Sequence, residues 1–71
     1  MKENEITGLV GAYGWEQIPS KNPYMYSYTH KEKGRMNFYF TTGTLTLQNS
    51  EGKLKTSRGI MTLEALENEI I

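Results

Sequence analysis

Apolar residues recur with a helical period at both ends of the chain and with a strand period in between. Ile6, Leu9, Val10 and Tyr13 fall at i, i+3, i+4 and i+7, one face of a helix running from Asn4 to Tyr13. Asn4 is placed to cap its start and Gly14 to end it. Gly8 and Gly11 inside it each cost up to about 1 kcal/mol relative to alanine. The helix must therefore be held by packing, or its glycines permit a close backbone approach. Trp15 and Ile18 follow, and then Pro19-Ser20-Lys21-Asn22-Pro23, a loop by composition.

Gly34, Gly43 and Gly52 recur every nine residues, separated by segments rich in β-branched and aromatic residues. Turn signals at that spacing predict an antiparallel meander, with strands at Tyr24 to His30, Arg35 to Thr41, Thr44 to Gln48, and a fourth at Lys53 to Ser57. Thr62 then caps a closing helix, with Met61 and Leu66 spaced for a hydrophobic staple. Leu63, Leu66 and Ile70 share a face of this helix, and Glu64 sits in its first turn, where the dipole favours negative charge. The apolar end, Ile70-Ile71, either docks on the sheet or continues into a longer protein. Two helices with one apolar stripe each need one sheet face to cover. The expected fold is thus α+β, a two-layer sandwich of an antiparallel meander with three or four strands, its N-terminal and C-terminal helices packed on one face.

Strand register decides which side chains face the helices. A two-residue turn at Thr42-Gly43 would pair Phe40 with Leu45 and Phe38 with Leu47, and Met36 completes an apolar face. A four-residue loop from Asn49 to Gly52 would bring Leu54 opposite Leu47 on that face. The other face would carry Arg35, Asn37, Tyr39, Thr44, Thr46, Lys53 and Lys55. Tyr24, Tyr26 and Tyr28 alternate along the first strand and so point one way together. An even loop between His30 and Arg35 puts them on the polar face, with Tyr26 opposite Tyr39. An odd loop, for instance with Gly34 in a bulge, sends them inward beside Phe38 and Phe40. The even loop would also point Met25, Ser27 and Thr29 inward, and Ser27 and Thr29 are poor core residues, which speaks for the odd loop. Three buried tyrosines would each need a hydroxyl partner.

A chain of 71 residues is one domain spanning residues 1–71, and domains near this size bury only roughly 60% of the surface their unfolded chains expose. So small a core suits a piece of a longer protein as well as a complete one. Cysteine is absent, which removes disulfides, thiolate metal sites and cysteine nucleophiles. No apolar run approaches the roughly 18–20 residues of a membrane span, and Met1-Lys2-Glu3-Asn4-Glu5 has no signal-peptide core. The expectation is a soluble intracellular protein, cytoplasmic or nuclear, without a membrane partner. Lysine plus arginine equals aspartate plus glutamate, eight against eight. The neutral total hides a basic middle, His30 to Arg35 and Lys53 to Arg58, between acidic ends.

Catalytic signatures are missing. His30 is the sole histidine, and no second histidine or cysteine would complete a metal site around it. Gly8, Gly11 and Gly14 follow no strand and precede no Gly-Lys-Ser/Thr, so they are not a phosphate loop. Ser20 and Ser57 have no nucleophile context. No enzyme, cofactor or metal is expected. The order helix, strands, helix resembles that of the double-stranded-RNA-binding domain in topology alone. The lysine-rich start of that family's second helix is replaced here by Gly59-Ile60-Met61-Thr62-Leu63-Glu64, which leads into an acidic helix, and the resemblance stops at topology.

Rings beside cations on an open sheet are what single-stranded nucleic-acid binders use to stack bases and neutralise phosphates. The leading expectation is a small binding module for single-stranded RNA or DNA, acting through Tyr26, Tyr28, Arg35, Tyr39, Lys53 and Lys55. The alternative is a protein-interaction or assembly domain that binds another chain, or itself, through Trp15 or an exposed sheet edge. The exposure of Tyr26 and Tyr28 bears directly on the first of these.

Overall fold

A computed structural model describes residues Met1–Ile71. The elements are α1 (Glu3–Ala12), β1 (Glu16–Ile18), β2 (Met25–His30), β3 (Gly34–Tyr39), β4 (Thr44–Gln48), β5 (Leu54–Ser57) and α2 (Leu63–Ile70). The strands form a single antiparallel sheet in the order β1-β2-β3-β4-β5. The α+β sandwich is as expected; the meander has five strands, because Glu16–Ile18 pairs with β2. Three residues without a period-2 apolar pattern gave no strand signal in the sequence.

Both helices lie on one sheet face. Ile6 and Val10 of α1 and Leu66 and Ile70 of α2 join Tyr28, Met36, Phe38 and Leu45 in one buried cluster, closed by Trp15 and Ile60. Burying each large apolar side chain stabilises the fold by about 1.5–3 kcal/mol. The helix ends are set locally. Glu5 accepts the Lys2 amide at 2.9 Å, so α1 begins one residue before Asn4 and the expected Asn4 cap is not used. At its other end Gly14 N–H donates to Gly11 O and Trp15 N–H to Val10 O, each at 3.0 Å, a Schellman ending. Thr62 caps α2 as expected, its Oγ1 accepting from Ala65 N at 3.1 Å. Ile60, not Met61, supplies the buried residue before it.

The β3–β4 and β4–β5 loops differ from the expected lengths, the β2–β3 loop takes the odd alternative, and parity decides the consequence. Phe38 pairs with Leu45 and Met36 with Leu47, a register two residues away from the expected one. An even shift leaves every side chain on its predicted face. The β2–β3 loop is odd: His30 pairs with Gly34 across Lys31–Lys33, which sets Tyr26 opposite Phe38 and Tyr28 opposite Met36. The tyrosines therefore turn toward the helices, not toward the open face. The β4–β5 loop is also odd. Gln48 pairs with Leu54 and Leu47 with Lys55, so Leu54 faces outward and Lys55 faces the helix side, the reverse of the expectation.

Two side chains explain the odd loops. His30 Nδ1 accepts from Glu32 N at 3.0 Å and from Lys33 N at 3.1 Å. Asn49 Oδ1 accepts from Glu51 N at 3.0 Å and from Lys53 N at 2.9 Å. Each acceptor at a strand end gathers the loop amides into a tight turn. Just after the first loop Gly34 has φ +101°, and a Cβ there would collide with the Gln48 carbonyl oxygen. Only glycine fits that junction.

A candidate binding site beside the last strand

The residues predicted to bind a nucleic acid separate into three places. Tyr28 is fully buried in the core, its hydroxyl 2.9 Å from Thr7 Oγ1. Burial holds its proton more tightly than in a free tyrosine, with the Thr7 bond opposing. Tyr26 is half-buried on the same face and stacks on Phe40, with ring centroids 4.6 Å apart and planes 19° from parallel. That stacking occupies the ring face a base would use. Tyr28 and Tyr26 are thus corrected from open-face groups to core and core-edge groups.

Arg35 and Tyr39 do lie on the uncovered face, with Asn37 between them on β3. This face is mostly hydroxyl and amide. A row crosses all five strands at Ile18, Ser27, Asn37, Thr46 and Thr56. Ser27 Oγ donates to Asn37 Oδ1 at 2.8 Å, so two of its central groups satisfy each other. The poor core residue Ser27 is where its chemistry belongs, on the face without helices.

Lys53 and Lys55 meet Trp15 elsewhere. Trp15 is 4% exposed, its ring 5.1 Å from that of His30, so it closes the end of the core and is not displayed as a surface anchor. It lines a cavity of about 320 Å³ between β5 and the C-terminal end of α2, near the lower limit for ligand sites. Leu47, Ile70 and Ile71 supply apolar wall, and Lys33, Lys53 and Lys55 face the single acid Glu69. Lys33 Nζ donates to the Ile70 carbonyl at 3.0 Å, a favourable place for a cation at a helix C-terminus. The ammonium groups of Lys53 and Lys55 make no hydrogen bond within the chain. Trp15 Nε1 is the one buried side-chain polar atom without a partner.

Two larger hollows lack that pairing of apolar wall and several lysines. The one of about 530 Å³ by the proline loop has Glu3 as its only charged lining group. The one of about 460 Å³ around Gly14 and His30 has no apolar wall. No three acidic or histidine side chains gather as a metal site would require, and no helix is long and apolar enough to cross a membrane.

The rim of the 320 Å³ cavity is itself a free edge. Asn49 N donates to Lys53 O at 3.0 Å, in the same register as the β4–β5 pairs. Antiparallel hydrogen bonding alternates from residue to residue. The backbone groups of Lys55 and Ser57 therefore point to β4, and those of Leu54 and Thr56 point outward. Leu54 is also 70% exposed. Sequence reading placed this residue in the core; the Asn49 turn was the available signal that it is not. Comparison with models of known protein families, with curated proteins and with solved structures finds no match.

Proposed function

We propose that this chain is a non-catalytic protein-interaction module, taking an extended segment of another protein as a sixth strand along β5. One observation carries the reading: the last strand has an open edge, with the Leu54 and Thr56 backbone groups directed away from β4, directly beside a walled cavity. An added strand gains main-chain hydrogen bonds from such an edge and specificity from pockets beneath its alternate side chains. The opposite edge, β1, is only three residues long and runs into Pro19, which suits a blunted edge.

Selection from a displayed random-peptide library tests this. Peptides that bind are expected to lose most of their affinity for Thr56→Pro, which deletes an outward N–H and leaves the β4 ladder intact. Arg35→Ala should leave their affinity unchanged. Failure to enrich any peptide, or binders indifferent to Thr56→Pro in a variant with native circular dichroism, would overturn the proposal.

Single-stranded nucleic acid is the second reading, supported by Arg35, Asn37 and Tyr39 in succession on one uncovered strand face. With a single ring left for stacking, its affinity rests on phosphate contacts and must fall steeply with salt. A labelled oligonucleotide that does not bind at low salt ends that reading.

A further inference from the structure

We infer that the cavity under β5 receives a carboxylate, the side chain of an aspartate or glutamate in the docked segment, with an apolar residue two positions away. The partner's identity rests on the β5 reading; the anion preference of the cavity stands on its own residues.

Side chains of an added strand alternate between the two sheet faces. Those directed to the helix side meet the cavity, since Lys55 and Leu47 point that way from β5 and β4. Three lysine side chains and one acidic side chain, that of Glu69, line it. Lys33 is held by the Ile70 carbonyl, whereas Lys53 and Lys55 have no partner, so two ammonium groups are free to take a carboxylate. Trp15 closes the inner side of the cavity, its own Nε1 shielded within the core. Leu47, Ile70 and Ile71 make the remaining wall apolar, and Ile71 is 68% exposed. A cationic segment would meet uncompensated lysines, and a wholly apolar one would bury them. A segment with one acid and one apolar residue at i and i+2 satisfies both parts.

The test has two arms. In the first, library selection is run on the wild type and on the double variant Lys53→Gln/Lys55→Gln, with circular dichroism confirming the fold. The wild type should enrich an acid at one fixed position with an apolar residue two away. Affinity of those peptides should fall tenfold or more in the double variant, and again with rising salt. Changing the peptide acid to its amide should cost as much, and the two changes together no more than either. Binders without an acidic preference, or indifferent to both lysines, overturn the carboxylate inference and leave the β5 reading standing. If no peptide binds, the β5 reading falls and the second arm decides the cavity. Octanoate is titrated against octanamide, followed by the fluorescence of Trp15, the only tryptophan. Saturation by octanoate alone, lost in the double variant, supports the anion site; equal responses or none overturn it.

Discussion

His30 ties three backbone groups together through one ring. With Nδ1 accepting two loop amides, the ring proton sits on Nε2, 3.1 Å from the Tyr13 carbonyl to which it donates. One imidazole thereby shapes the β2–β3 turn and ties it to the end of α1. His30→Ala removes three hydrogen bonds at a partly exposed site and is expected to cost about 1–3 kcal/mol, measured by urea unfolding. His30→Asn should recover part of the loss, since its Oδ1 can still accept loop amides. The tyrosines give a pH dependence. Tyr13 donates to Glu67 Oε2 at 2.7 Å, a bond that with lesser help from desolvation and the carboxylate charge raises its pKa. Burial raises that of Tyr28. Both folded values lie above the ordinary 10.0, so the folded chain holds these protons more tightly than the unfolded one. The stability they supply is complete below pH 10 and is lost as pH climbs through the raised values. Thermal unfolding from pH 8 to 11 should show that fall, and Tyr28→Phe should make it shallower.

At the level of elements, both helices and four of the five strands were legible in the sequence; the three-residue β1 and loop parity were not. The 3.6-residue stripe of Ile6, Leu9 and Val10 and the Thr62 cap needed no tertiary information, because both are local. Which face β2 and β5 present depends on one residue more or less in a loop. His30 and Asn49 decide that through contacts that hydropathy does not register. Asn before a turn is a known acceptor; histidine in that role is not a composition signal. The correction is testable. Leu54→Ser, on an exposed face, should change stability by no more than about 0.5 kcal/mol. Leu45→Ala, in the core, should cost about 2–5 kcal/mol. The reverse ranking in denaturant titrations would restore Leu54 to the core. Of the two readings of the helix glycines, packing through Ile6 and Val10 holds and close backbone approach does not. A Cβ at Gly8 or Gly11 meets nothing within 4 Å, so no neighbour requires them. Each should gain about 0.5–1 kcal/mol on change to alanine, seen as a higher urea midpoint.

On the scale of the whole molecule, one helix-covered face leaves the sheet with a solvated face and two edges, and stability should be graded along it. β3 sits at the centre, paired on both sides and carrying the buried Met36 and Phe38. β5 is paired on one side only, and three of its four residues are exposed. Opening β5 would release few buried side chains, whereas opening β3 would dismantle the core. Local unfolding follows such differences in buried contact. Native-state hydrogen exchange should therefore find its slowest amides in β3, with β2 and β4 next and β5 among the fastest. Edge amides of Leu54 and Thr56 should exchange nearly freely, while Lys55, bonded to β4, is slower than both. If β5 were as protected as β3, its outer edge would be covered in the free protein, and no strand could be added to it. If Leu54 and Thr56 exchange freely and slow on peptide binding, the least stable element of the sheet is also the one that meets the partner. Low stability at that edge is then what keeps it open for pairing.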